Sequence, residues 1–390
     1  MTEAKIDLTD AVAVTQRLVQ YASVTPAKGA IFDELQSWFE SLGFSVERPT
    51  FCQEGTPDVE NLYARLGTSK PHLMFAGHVD VVPTGEEALW GADPFDGHIE
   101  NDILYGRGTV DMKGGIGAFI ASVVRYLKTQ QQDFGSISFL ITGDEEGPAI
   151  NGSVKLLEWA KQKGEEWDHC LLGEPTNTAR IGDVIKVGRR GSLTGAITIT
   201  GQQGHVAYPH LAANPLPKLA EVVAKISSSI IDDGTDVFQP TNLEFINIDV
   251  GNDASNVIPQ SATARFNIRF NDLQSPQSLE TFVKGHLDQV IADPFHYELS
   301  FEPCNSHVFR TQADGILKHL QKAIFDETGA YPDLTTGGGT SDGRFIKDYC
   351  PIIEFGLVGK TMHKIDEHTP IQDLSLLSAI FERTLISYFK

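Results

Sequence analysis

Cysteine is scarce in this 390-residue chain: Cys52, Cys170, Cys304 and Cys350 are the only four, far apart and with no C-x-x-C pair. That spacing supplies neither a disulfide framework nor a thiolate metal site, and it reads as reduced thiols of a cytoplasmic protein. Basic residues are also few. Lys and Arg number 31 against 52 Asp and Glu, a net charge of -21. Such a polyanion disfavours nucleic acid and anionic membrane surfaces as partners. An acidic small-molecule substrate would need local Arg or Lys to overcome the global field. No apolar run approaches the ~18 residues of a membrane span. The N-terminal MTEAKIDLTD is polar and acidic, without a signal-peptide pattern. Internal repeats and low-complexity segments are absent too.

What is present is the composition of a globular protein, 41% apolar and 21% charged, long enough to make two domains the expectation. Helical apolar spacing covers 7–22, with Asp7 or Thr9 as candidate caps, and 31–42. Strand patterns at 72–82, 103–110, 136–142 and 168–172 alternate with helices at 113–128 and near 152–163. This alternation predicts an α/β fold with a parallel or mixed sheet covered on both faces. After about residue 187 the order becomes βαββαβ: strand 193–200, helix 215–230, strands 243–250 and 262–270, helix 278–290, strand 297–302. That suggests a split-βαβ domain. The first type of pattern then returns with helix 313–328, strand 352–357 and helix 371–389. The expected organisation is a catalytic domain (1–187 and 303–390) interrupted by a lid domain (188–302).

Chemistry-bearing residues collect where the apolar runs end, which is where an α/β sheet gathers its site. In His78-Val79-Asp80, positions i and i+2 share a strand face. His78 can thus bind a metal while Asp80 orients its ring. Asp111, in YGRGTVDMKGG, leaves a strand for a glycine-rich helix start; it can cap that helix or present one oxygen to each of two cations. Asp144, Glu145 and Glu146 follow SISFLIT. Their mutual repulsion is tolerated in a solvated loop and would be removed by a cation, with one Glu binding it and its neighbour handling a water proton. Glu174 follows DHCLL, and His363 follows IIEFGL. Singly, each of these has a structural reading. Jointly, two histidines and several carboxylates at strand ends point to two Zn²⁺ ions in a metal-dependent hydrolase. His205, in GHVAYPH, lies within the proposed lid and could reach a reacting carbonyl only by lid closure or from another subunit. The loop 336–344, TGGGTSDGR, could cradle an anion on its backbone N–H groups, but it lacks the Lys-Ser/Thr pattern of a nucleotide loop. Arg189 and Arg190 offer guanidiniums suited to carboxylates.

Together with VGRRGSLTG (187–195), SNVIP (255–259), FNIRF (266–270) and GGGTSDGRF (337–345), these motifs resemble the di-zinc amidohydrolases of the aminoacylase and carboxypeptidase type over nearly the whole chain. The resemblance implies a zinc-peptidase-like mixed sheet flanked by helices, with an inserted ferredoxin-like α+β lid and dimerisation domain. It implies two Zn²⁺ per subunit, with Co²⁺ a possible substitute: His78 and Glu174 on one, Glu146 and His363 on the other, Asp111 bridging. It implies that Asp80 orients His78, that Glu145 is the general base and acid, and that the Asp111–Met112 peptide is cis. His205 would cross to a partner subunit to stabilise the oxyanion, which implies a homodimer through the lid. Arg189, Asn256, Arg269, Gly339, Thr340 and Ser341 would grip the substrate's carboxylates. The implied reaction is hydrolysis of N-succinyl-LL-2,6-diaminopimelate to succinate and LL-2,6-diaminopimelate, on the route to lysine. The alternative is a related deacylase, such as one for N-acetylornithine, or a dipeptidase. Gly359, Asp366 and Ser255 stand where relatives often carry Asn, and all three touch the substrate-facing shell.

Overall fold

The computed structural model describes residues 6–129, 134–311 and 315–390. The described residues form two units. One comprises those up to Gly188 together with Thr311–Thr335 and Ser341–Lys390; the other comprises Arg189–Arg310 and Thr336–Thr340. Residues 303–310 and 336–340 thus cluster with the second unit, although the sequence pattern groups them with the first.

The first unit is built on strands His72–His78 and Ser136–Thr142, both buried at every position. A strand covered on both faces carries an apolar run instead of an alternation. They pair in parallel, His78 opposite Thr142. His169–Leu172 joins in parallel on the other side, and Ile352–Glu354 joins that strand in parallel. The carboxyl ends of all four therefore open on one edge of a mixed nine-stranded sheet.

Phe75 and Phe139, opposite each other in register, carry one face. Phe75 stacks on Phe119 of helix Lys113–Thr129 at 4.2 Å and meets Phe381 of helix Ile371–Tyr388 edge-on. Phe139 packs on Phe39 of helix Ala30–Ser41. Tyr63 points to the opposite face, because its neighbour Ala64 is the residue paired with Phe139. There it meets Trp159 of helix Ser153–Gln162. The glycines of DMKGG let helix Lys113–Thr129 come close: a Cβ on Gly115 would lie 2.3 Å from the carbonyl oxygen of Gly173.

Several elements differ from the sequence pattern. Strand Val59–Leu66, antiparallel to Ser136–Thr142, was hidden by Glu60 and Arg65. Those charges are accommodated by partners, Arg48 for Glu60 and Glu165 for Arg65. The expected strand 103–110 is only Ile103–Tyr105, since Gly106 and Gly108 take φ of 146° and 86°. It belongs to a separate small sheet with Ile99–Glu100 and His368–Pro370. The first helix is Ala11–Val19, capped by Asp10 and not by Asp7 or Thr9. Of the expected helix 313–328, residues 313 and 314 lie outside the described residues, and the helix runs Ile316–Thr328.

The second unit is a four-stranded antiparallel sheet, ordered Asn242–Asp249, Ser261–Phe270, Gly191–Thr200, His296–Phe301. Ser261–Phe270 and Gly191–Thr200 alternate buried and more exposed positions. Their buried side chains, Ile197, Ile199, Phe266 and Ile268 among them, share a core with Leu219 and Val222 of helix Pro215–Ser227 and Val283 and Leu287 of helix Pro276–Val290. The outermost strand leaves Ile246 and Ile248 exposed. Among the described residues, no helix is long and apolar enough to cross a membrane.

Candidate metal centre

The common carboxyl edge of the parallel strands brings the expected ligands together. His78 is the last residue of its strand, Glu145 and Glu146 lie in the turn after Thr142, and Glu174 lies two residues past Leu172. His78 Nε2 is 3.2 Å from Asp111 Oδ1 and 3.7 Å from Glu174 Oε1. His363 Nε2 is 3.2 Å from Asp111 Oδ2 and 2.8 Å from Glu146 Oε1. Asp111 therefore presents one oxygen to each histidine. Ligands about 2.0–2.1 Å from a tetrahedral Zn²⁺ sit about 3.3 Å apart, a value the four spacings bracket, although 2.8 and 3.2 Å are also hydrogen-bond distances. His78 also groups with Asp111 and Glu146, and with Glu145 and Glu174, with one ligand atom from each residue within 4.8 Å of the others. Glu174 Oε1 is buried with no hydrogen-bond partner, which is costly unless something else holds it.

The electrostatics describe a site that needs positive charge. Burial pushes Glu174 well above the usual carboxylate range, with Asp111 adding to it. Burial likewise drives Glu145 up to about 8, against the pull of His78 and with help from Asp342, Glu146 and Asp111. Hydrogen bonds to Asp111 and Glu146 raise His363 to about 10. For His78, burial works against the charged ring, yet Asp111, Glu174, Asp80 and Glu145 outweigh it and hold the pKa well above its ordinary value. For Asp111, burial is outweighed by His363 and His78, and its pKa falls below the ordinary value. Without a cation, the raised His78, His363, Glu145 and Glu174 favour their protonated forms.

Asp80 departs from the expectation. The strand ends at His78, so the shared-face geometry of i and i+2 does not extend to Asp80. His78 Nδ1 has the Asp80 backbone carbonyl as its partner at 2.9 Å, with the carboxylate at 3.7 Å. The carboxylate, fully buried, accepts the N–H groups of Glu145 and Glu146 at 3.2 and 3.0 Å. Asp80 thereby shapes the turn that carries the two glutamates. The Asp111–Met112 peptide is cis.

Ser341 is buried, and its hydroxyl donates to Glu354 Oε1 at 2.7 Å, so it anchors its loop to the sheet. The hydroxyl proton is thus used within the protein. Asp342, only 3% exposed and close enough to influence Glu145, was not singled out from the sequence; the one available signal was its place directly after the TGGGTS run. The remaining candidates lie in the second unit. Arg189 is buried and donates from Nη1 to the Gly339 carbonyl at 3.0 Å. Arg269 lies on strand Ser261–Phe270, opposite Ser192 and Asn242. Asn256, exposed, accepts the Val206 N–H through its carbonyl, next to His205. His205 is exposed on the short strand Gly204–His205, its Nδ1 accepting the Ala207 N–H. Gly339 is exposed and Thr340 half-buried.

Residues 74–387 match Peptidase family M20/M25/M40. The chain is 55% identical over 378 residues to a succinyl-diaminopimelate desuccinylase of Methylobacterium nodulans, covering 97% of this chain and 96% of that one. It is 51% identical over 386 residues to the protein of the same name in Rhodopseudomonas palustris, covering 98% of each. Among solved structures it resembles a tripeptidase of Staphylococcus aureus, with TM-score 0.80, 21% identity and coverage of 99% and 100%. It also resembles a dinuclear metal binding peptidase of the M20 family from Bacillus subtilis, with TM-score 0.69, 14% identity and 97% of each chain.

Proposed function

We propose, from the premise that this chain belongs to Peptidase family M20/M25/M40, that it hydrolyses N-succinyl-LL-2,6-diaminopimelate to succinate and LL-2,6-diaminopimelate. The chain is a metal-dependent amide hydrolase, and its relatives at 51–55% identity over nearly their full length carry the desuccinylase name. The observation that carries the chemistry is Asp111, whose two oxygens face His78 and His363.

We assign two Zn²⁺ ions to these residues, with Co²⁺ as a substitute: His78 and Glu174 for one, Glu146 and His363 for the other, Asp111 for both. Bound there, they would supply Lewis acidity toward the amide carbonyl and make a water acidic at neutral pH. Glu145 lies beside His78 and Glu174 and in this assignment holds no zinc; it takes the proton of the attacking water and later hands it to the leaving amine nitrogen. The water oxygen bonds to the succinyl carbon, the C–N bond breaks, and a carboxylate and an amine leave. Asp80 keeps the Glu145–Glu146 turn in place.

His205 completes the reaction by stabilising the oxyanion. It does so from a partner subunit, in a homodimer formed through the second unit, whose exposed outer strand with Ile246 and Ile248 is a surface suited to pairing. The substrate's carboxylates meet Arg189, Asn256, Arg269, Gly339 and Thr340. These groups give an anion local positive charge and backbone N–H groups in a protein whose net charge is -21. The paucity of cysteine and the polyanionic composition support a cytoplasmic enzyme with neither nucleic acid nor membrane as partner.

The test is initial-rate kinetics of zinc-loaded Glu145→Gln and His205→Ala proteins on the succinyl substrate. Glu145→Gln should be nearly inactive, and His205→Ala should lose kcat while keeping KM. Wild-type rates in either would remove that residue's role.

A further inference from the structure

The edge of the sheet assembles the ligands, yet three of the segments that carry them leave the strands as irregular chain. These are 78–83, 106–111 and 363–367. His363 and Asp366 sit at φ of 62° and 55°, a left-handed conformation costly for side-chain-bearing residues unless the surroundings hold it. One buried ion pair touches all three segments. Arg107 is 2% exposed and Glu367 0%. Arg107 Nη1 donates to Glu367 Oε2 at 2.7 Å and to the Lys364 carbonyl at 3.1 Å, directly after His363. Its Nη2 reaches the Pro83 carbonyl at 3.3 Å, on the segment that leaves His78. Glu367 Oε1 accepts the N–H groups of Val110 and Asp111 at 2.9 and 3.2 Å. The guanidinium lies over the Trp90 ring, centroid 5.2 Å away.

A buried ion pair contributes little to stability when compared with an apolar replacement, because desolvation consumes most of the attraction. Its forked geometry, however, specifies position in a way that apolar packing does not. Every hydrogen bond named for this pair ends on a ligand segment or within the pair itself. We infer that Arg107 and Glu367 are positioning residues that set the separation of Asp111, His363 and His78, and so set the metal affinity of the centre. The inference rests on the two-metal reading above. Lysine at 107 keeps the charge and three donors, but it gathers them on one nitrogen and lacks the planar fork whose Nη1 serves Glu367 and Lys364 while Nη2 reaches Pro83.

The experiment titrates Zn²⁺ calorimetrically, and Co²⁺ by visible absorption, into the chelator-stripped full chain as wild type, Arg107→Lys and Arg65→Lys. Arg65 pairs with Glu165, and its strand partner Ser138 lies toward the start of Ser136–Thr142, far from the ligand edge. It therefore controls for general softening. Folded Arg107→Lys should bind at least one of the two ions about 10–100-fold more weakly, with a shifted Co²⁺ spectrum, while Arg65→Lys matches wild type. Wild-type affinity and spectrum in Arg107→Lys, or equal weakening in both variants, would overturn the inference. Glu367→Gln, close in shape, is read in the same way if Arg107→Lys does not fold. A wild-type protein that binds no metal would instead remove the two-metal reading, and the positioning role with it.

Discussion

Loading the centre with metal should expel protons, and the number can be worked from the site. His363 has its pKa raised to about 10 by Asp111 and Glu146, and His78 lies well above its ordinary value. At pH 7 both rings are therefore imidazolium in the metal-free protein, and neither can ligate until it gives up its proton. Each displaced proton changes the apparent affinity about tenfold per pH unit. Binding of both ions should then weaken by at least about a hundredfold, taken together, between pH 7 and pH 6. Glu174 and Glu145, raised by burial, add further protons to the count. The sign is fixed: these groups hold protons in the free site and lose them in the loaded one, so affinity falls as pH falls. The dependence flattens as pH passes about 10, where His363 releases its proton unaided. Calorimetric Zn²⁺ titration at pH 7, in buffers of differing ionisation enthalpy, counts the protons directly. The expected count is at least two for the pair of ions, and one fewer in His363→Asn. A count below one for the pair would refute the argument that charge starvation shapes this cluster.

Other consequences follow from particular residues. Glu145→Gln should lower kcat by about 10²–10⁴-fold with both metals retained, measured by initial rates and metal analysis on the same sample. His72, buried between the Glu166 carbonyl and Ser138 Oγ, has its pKa lowered to about 4, chiefly by burial. The folded state thus binds fewer protons than the unfolded one between pH 6.5 and 4, and stability worth about 3 kcal/mol is lost as pH falls through that window. Urea melts of wild type and His72→Gln at pH 7, 6 and 5 should show the wild type losing more, whereas parallel losses would contradict it. Gly115→Ala should destabilise by about 1–3 kcal/mol and weaken metal binding, since its Cβ would drive into the Gly173 carbonyl next to Glu174; thermal melts and Zn²⁺ titration check both effects.

The parallel core and the clustering of the candidate ligands were legible because burial on both faces writes itself as apolar runs, and an α/β sheet puts its chemistry where those runs stop. His78, Glu146 and Glu174 announce themselves in that way. Asp111 and His363 are read at run ends too, but the strands before them stop early, at Tyr105 and Glu354, and the irregular segments that carry them depend on Arg107 and Glu367, 260 positions apart in sequence. No local pattern marks such a pair. Strand Val59–Leu66 escaped notice because Glu60 and Arg65 break its apolar character, and the partners that neutralise them are visible only in three dimensions. Asp80 shows the limit of periodicity. The strand ends at His78, four residues short of the expected 72–82, and the Asp80 carboxylate accepts the Glu145 and Glu146 N–H groups while lying 3.7 Å from the imidazole.

The central claim is that this metal centre cleaves the succinyl amide of a diamino diacid. Its most direct test is kcat/KM of the zinc-loaded wild-type protein, followed by loss of amide absorbance, on N-succinyl-LL-2,6-diaminopimelate, N-acetylornithine and a dipeptide. The account predicts fast turnover of the succinyl compound and far slower turnover of the other two. Hydrolysis of N-acetylornithine or the dipeptide with none of the succinyl compound would contradict it.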